Sequence, residues 1–299
     1  MSITAGQVKE LRERTGAGMM ECKRALTEAD GDMDAAIEQM RISGLAKADK
    51  KSANTAAEGV VSIALGEDRE RFAMVEINSQ TDFAAKAEDF VVFTDRVTAA
   101  ALDDQSDSIE SITLDGKPVE EARKTLVAKI GENIQVRRVV SGTSEGGHFG
   151  EYSHGGRIGV VVELEGGDAA LARDIAMHVA ASRPVCVDES GVPAELLEKE
   201  KGILVAEAAD SGKPPEIVEK MVQGRMKKYL ADITLTGQPF VKDPDQTVGA
   251  LLKSAGATVR RFERFEVGEG IEKKEENFAD EVMAQVRSGS KGDDASPNA

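Results

Sequence analysis

The chain states one plan twice. "TLVAKIGENIQVRRVVSG" and, much later, "TVGALLKSAGATVRRFERFEVGEG" each run through a helical stretch, a glycine and then a strand carrying Val-Arg-Arg. Each copy is preceded by a hairpin-like segment. In "EGVVSIALGEDRERFAMVEINS" two alternating runs flank the turn residues Gly66-Glu67-Asp68, and "HFGEYSHGGRIGVVVELEGG" has the same character. A helix follows each hairpin, one from about Ala84 to Leu102 and one over "DAALARDIAMHVAAS"; in the first copy a further helix, Val119 to Ile130, ends at Gly131. Identity between the copies is weak, but their parts keep one order. That order implies two related α+β subdomains.

The flanking segments follow different periods. From Ile3 to Gly44 the chain divides at Gly16-Ala17-Gly18, Gly31 and Gly44 into three short helical pieces. Their apolar stripes are Val8 and Leu11, then Cys22, Ala25, Leu26 and Ala29, then Met33, Ala36, Ile37 and Met40. A glycine after each piece suits a left-handed C-terminal cap. Two strongly helical stretches, Pro193 to Gly212 and Pro214 to Leu230, are inserted in the second copy as an antiparallel pair, with Leu196, Leu197, Leu204, Ile217, Met221 and Met226 supplying the contact. The expected division is a three-helix module over 1–46, a linker or exposed helix over 47–57, core subdomains over 58–141 and 142–271 with the helical hairpin at 193–230, and a C-terminal module over 272–299. That last module holds a short amphipathic helix around Phe278, Val282 and Val286 and a disordered tail.

Composition narrows the partners. Only 4% of the 299 residues are aromatic and none is Trp, so the cores are built from aliphatic side chains. With 38 basic against 54 acidic residues the net charge is −16, which opposes phosphate backbones and anionic membranes. Cys22 and Cys186 form no Cys-x-x-Cys unit, so neither a disulfide framework nor a zinc site is expected. No apolar run approaches the ~18 residues of a membrane span, and the first residues lack a secretory apolar core. A cytoplasmic protein is expected.

Covalent chemistry has no signature here. His148 and His154 sit in a Gly-rich hairpin and His178 in an apolar helix, none with a second ligand at a familiar spacing. Neither a phosphate-cradling loop nor a nucleophile elbow occurs. No metal, cofactor or catalytic residue is expected.

The stretch "EINSQTDFAAK" breaks its own pattern, because strand alternation stops at Asn78 and a helical run begins at Ala84. Ser79, Thr81 or Asp82 suits the N-cap of that helix. Phe83 then has two readings. Two turns before Phe90 and four before Val97, its phase favours burial; at a loop end, the same ring is an anchor for another protein.

Many ordered motifs resemble the bacterial elongation factor Ts family. They are "VKELRERTGAGMMECKRALTEADGD", "QTDFAAKAEDF", "AKIGENIQVRR", "HGGRIGVVVE", "IAMHVAASRP", "EKMVQGRMKKY", "LTGQPFV" and "RFEVGEGIEK", spanning nearly the whole chain. The resemblance implies a ubiquitin-associated-like N-terminal module, two related α+β core subdomains, an inserted helical hairpin and a C-terminal helical module. It implies a guanine-nucleotide exchange factor that binds elongation factor Tu, GDP-bound and nucleotide-free, and that performs no covalent chemistry. Thr81, Asp82, Phe83 and Ala84 match the family's exchange loop, which disturbs the partner's magnesium and phosphate site; many relatives carry Val where this chain has Ala84. Arg12, Met19 and Met20 match contacts to the partner's nucleotide-binding domain, and His154 a contact to another of its domains. A dimer through the helical hairpin, or a 2:2 complex, is left open. The rivals are an adaptor acting through residues 1–45, an enzyme, and an RNA binder through "AKADKK" or "GRMKKY".

Overall fold

The computed structural model describes residues 3–105, 107–209 and 214–272. The expected helix around Phe278 lies outside them. The chain opens with α1 (Ala5–Thr15), α2 (Met19–Glu28) and α3 (Met33–Lys51). Thr4 and Gln7 close a reciprocal capping box at the start of α1, and Gly16, at φ 69°, ends it in the left-handed region. Val8, Leu11, Cys22, Ala25, Leu26 and Ala36 form a small core of their own, the stripes that helical spacing marks out. Gly44 does not cap α3. The helix runs through it to Lys51, because Gly44 packs against Ala128 of a later helix, where a side chain would crowd the contact.

The first hairpin is β1 (Glu58–Leu65) and β2 (Arg71–Ser79); it leads into a single turn, α4 (Asp82–Ala85), and then α5 (Glu88–Asp104). The sequence expects one helix from Ala84, whereas Ala87 takes extended backbone and breaks it in two. A minor pair, β3 (Thr113–Leu114) and β4 (Lys117–Pro118), precedes α6 (Val119–Ile130), which Gly131 caps at φ 85°, and β5 (Ile134–Thr143). The second copy follows as β6 (His148–His154), β7 (Ile158–Glu165) and α7 (Ala169–Ser182). After α8 (Ala194–Ala209) and α9 (Pro215–Ile233) come the short β8 (Pro239–Phe240) and β9 (Asp243–Thr247), then α10 (Val248–Ser254) and β10 (Thr258–Glu266).

The two main sheets have matching antiparallel orders, β1-β2-β5 and β6-β7-β10, each with the second hairpin strand at its centre. They pack face to face through Val61, Phe72, Met74, Phe149, Val161, Phe265 and Val267. On the outer face of the first sheet, Ala73, Val75 and Ile77 meet Phe90, Phe93 and Val97 of α5 and Leu126 and Val127 of α6. On the outer face of the second, Val160, Val162 and Leu164 meet α7 and α10. Both faces of β2 are covered, so it reads as a nearly unbroken buried run. The sheets come so close at Gly159 that a Cβ there would run into Val61.

The Val-Arg-Arg repeat has a structural counterpart. Register slips between Glu76 and Ile77 opposite Arg138 and Val136, so Arg137 is the extra residue of a bulge; Arg260 is the extra residue in the second sheet. In each sheet the second arginine faces a buried glutamate of the central strand, Arg138 on Glu76 at 2.6 Å and Arg261 on Glu163 at 2.7 Å. Each also lies over aromatic rings, Arg138 over Phe265 and Arg261 over Phe72 and Phe149.

Helices α8 and α9 close on Leu204, Ala208 and Val222, flanked by Val218 and Met226. Leu204 and Met226 are contacts the sequence names; Ile217 is instead exposed.

Candidate functional site

Strand β2 leaves the body at Ser79, and the chain turns through Gln80 and Thr81 into α4. Thr81 is the N-cap: its hydroxyl oxygen accepts from the Ala84 N–H at 3.2 Å. The same hydroxyl donates to Glu132 Oε1 at 2.8 Å, and the Thr81 N–H donates to Glu132 Oε2 at 3.0 Å. Gln80 is held beside it, its Oε1 accepting from the Asn133 N–H at 2.7 Å and from Asn54 Nδ2 at 3.3 Å. Ser79 Oγ donates to the Thr81 carbonyl at 2.8 Å. On this base α4 turns Ala84 and Ala85 inward and Phe83 outward, 81% exposed. Burial, the reading that helical phase favours, requires one continuous helix; the break at Ala87 removes that phase relation.

Asp82 pairs with Lys86 at 2.7 Å on the surface, and this hydrogen bond holds its carboxyl below the usual range. Ala84 is 4% exposed, so its small size bears on packing beneath the turn rather than on the outer surface.

The other sequence-named residues gather around the same end. Gly16 packs on the Lys129 side chain, and Lys129 pairs at 2.6 Å with Asp89 in the first turn of α5. The α1–α2 turn therefore lies next to the segment that follows Phe83. Arg12 is exposed one turn before it, and Met19 and Met20, 60% and 76% exposed, open α2 directly after it. His154 is exposed at the end of β6, its Nδ1 3.2 Å from the Tyr152 hydroxyl. The turn it opens has Gly155 and Gly156 at φ 59° and 70°. That turn is fastened to the start of β1, where the Val61 N–H donates to the Gly156 carbonyl at 2.7 Å and Arg157 pairs with Glu58. Because Glu58 lies opposite Ser79, His154 and Phe83 occupy one end of the paired sheets.

The comparisons bear on what such a surface is for. The family model described as Elongation factor TS matches residues 80–269, more than half of the chain and including the whole tip. A curated relative from Thioalkalivibrio sulfidiphilus, named Elongation factor Ts, is 64% identical over 96% of this chain and 99% of its own length. Relatives of the same name from Alkalilimnicola ehrlichii and Methylococcus capsulatus are each 62% identical over the same shares. The chain belongs to the elongation factor Ts family.

In this family member, sequence reasoning missed the residues that hold the tip. Glu132 and Asn133 stand far from Thr81 in the chain, and no local period links them. The buried Glu76 had a readable signal: Val75-Glu76-Ile77 and Val162-Glu163-Leu164 recur at matching places in the two central strands. His178 is fully buried. The Val241 N–H donates to its Nδ1 at 3.1 Å, so its Nε2 carries the proton and donates to Gln238 Oε1 at 3.0 Å. Burial depresses its pKa, with the Gln238 bond acting weakly the other way. An open groove of about 620 Å³ between β1, β6, α5 and α7 carries Arg69, Arg173 and Glu151, and neither His nor Cys lines it. Among the described residues no cluster of His, Cys, Asp and Glu could hold a metal, and no helix is long and apolar enough to cross a membrane.

Proposed function

We propose that the chain is a cytoplasmic guanine-nucleotide exchange factor of translation elongation. It binds elongation factor Tu in its GDP-bound and nucleotide-free states, promotes GDP release and so allows GTP loading. The observation that carries this reading is the Phe83 ring, exposed on a turn whose base is fixed by hydrogen bonds to Glu132. A large apolar side chain held in water on a stiff mount suits insertion into another protein. Thr81, Asp82, Phe83 and Ala84 form the exchange loop that displaces the partner's magnesium. Arg12, Met19 and Met20 dock on the nucleotide-binding domain and His154 on a second domain. The division of labour follows the expected parts: the N-terminal module over 1–46 docks, 47–57 joins it to the core, and the related subdomains over 58–141 and 142–271 mount the tip and the His154 turn.

No covalent step is needed. Exchange requires a ternary state in which partner and nucleotide weaken one another reciprocally. Moving an equilibrium from 1:99 to 99:1 takes about 5.5 kcal/mol of differential affinity, whereas burying one Phe contributes roughly 1.5–3 kcal/mol. Phe83 therefore acts with the other contacts, each adding affinity for the nucleotide-loosened state.

The test is release of fluorescent GDP from elongation factor Tu in a stopped-flow instrument, with the unsubstituted chain and with Phe83→Ala. The unsubstituted chain accelerates release; Phe83→Ala slows it far more than it weakens the binary complex. An unchanged release rate for Phe83→Ala refutes the role of the ring.

A further inference from the structure

Resting on the exchange reading of Phe83, we infer that Glu132 is a positioning residue that aims the ring, gripping Thr81 from the α6–β5 turn beside the end of β2. Its carboxylate spans two groups of one residue, the Thr81 N–H at 3.0 Å and the Thr81 hydroxyl at 2.8 Å. Bonds to an ionised acceptor are stronger and more directional than neutral ones. The hydroxyl has a single proton, and giving it to Glu132 leaves its lone pairs for the Ala84 N–H. One line of hydrogen bonds therefore runs from the Glu132 carboxylate through the Thr81 hydroxyl into the first turn of α4, each bond polarising the next. Phe83 sits within that turn.

The grip needs a fixed origin, and Glu132 has one. It follows Gly131, whose left-handed backbone ends α6, and precedes Asn133, fully buried and tied to the Asn54 carbonyl at 2.7 Å. The Asn133 N–H also holds Gln80, so consecutive residues of the α6–β5 turn fix consecutive residues of the tip. Among the described residues, the outer side of α4 carries only the exposed Asp82–Lys86 pair, of the kind that contributes little. Without Glu132 the turn keeps its link to β2 and the buried Ala84 and Ala85 but loses the contact that sets its rotation.

The expected consequence is kinetic. Docking through Arg12, Met19, Met20 and His154 does not involve Glu132, so the concentration of half-maximal effect stays put. The fraction of docked complexes with the ring correctly aimed falls, and the maximal release rate falls in proportion.

The full chain is assayed with elongation factor Tu carrying fluorescent GDP, alongside amide hydrogen exchange at Thr81 in the free protein. Glu132→Ala lowers the maximal release rate about tenfold, leaves the half-maximal concentration within about twofold, and speeds exchange of the Thr81 amide. Glu132→Gln recovers part of the rate, since its amide oxygen still accepts from Thr81. Glu132→Ala combined with Thr81→Val is no slower than the slower single variant. If the unsubstituted chain accelerates release, Phe83→Ala does not, and Glu132→Ala matches the unsubstituted maximal rate, the positioning role is overturned while the exchange reading stands. Additive losses in the double variant also overturn it. If the unsubstituted chain itself gives no acceleration, the exchange reading falls and the inference with it.

Discussion

Replacing Glu76 tests the most heavily bonded buried charge among the described residues. Its carboxylate is fully buried and receives Arg137 at 2.9 Å, Arg138 at 2.6 Å, the Gly268 N–H at 2.8 Å and Asn78 at 3.0 Å. Glu76→Ala leaves two guanidinium groups and a backbone N–H facing an empty site. Removing one partner of a buried pair costs about 3–5 kcal/mol, and since Arg137 and Arg138 are 25% and 30% exposed, water offsets part of that; the loss is set at about 3 kcal/mol. Glu76→Gln keeps an acceptor oxygen but loses the charge and turns an NH₂ toward an arginine, for about 2 kcal/mol. The pH dependence is the sharper part. Burial by itself raises the Glu76 pKa, but the Gly268 N–H, Arg137, Asn78 and Arg138 together outweigh it and hold the pKa below 4.5. The native state therefore binds this proton less readily than the unfolded chain. Its contribution is complete above about pH 4.5 and is lost as pH falls through the lowered native value. Glutamine does not titrate, so urea midpoints followed by circular dichroism should separate the two proteins fully at pH 7 and bring them together on acidification. A Glu76→Gln loss under about 0.5 kcal/mol at pH 7, or a gap that does not narrow in acid, refutes the reasoning.

Other expected outcomes follow from packing and protonation. His178, depressed by burial, stays neutral at its ordinary value of 6.5; its contribution to stability is present above that pH and is lost as pH falls through the lowered native value. Imidazole nitrogen spectra should show a single Nε2-protonated form at pH 6.5, and a midpoint at or above 6.5 counts against the buried geometry. Gly159→Val forces the two sheets apart at Val61 and costs about 1–3 kcal/mol, whereas Gly224→Ala, in the interior of α9 with open space around it, stabilises by about 0.5–1 kcal/mol. In thermal melts, a raised midpoint for Gly159→Val contradicts the first assignment and a lowered midpoint for Gly224→Ala the second.

Much of the fold was legible because local rules and tertiary packing agree. The caps at Gly16 and Gly131, the helix Val119–Ile130 and both hairpins stand where periodicity and turn chemistry put them. Disagreement arises where a distant contact overrides a local signal. Gly44 looks like a stop, but its lack of a side chain serves the approach of α6 instead. The tip is harder still. Helical phase assigns Phe83 to the core, and only the extended backbone at Ala87, with the Glu132 grip on Thr81, gives α4 an orientation independent of α5.

The buried glutamates show what a duplicated plan adds to such a reading. A lone glutamate in an apolar strand resembles a solvent-facing position, and a lone Arg-Arg resembles a charged surface. Seen twice, Val-Glu-Ile opposite Val-Arg-Arg and Val-Glu-Leu opposite Val-Arg-Arg mark a fixed register. A bulge at the first arginine lets the second meet the glutamate, and on its inner face each central strand then buries a charge that only one alignment satisfies. Slipping either ladder by one residue would move the arginine to the opposite face and strand the carboxylate. In the first sheet that register also fixes where β2 ends, at Ser79, one turn from Phe83. The pair therefore helps determine the place from which the tip projects, and Glu132 determines how it is turned.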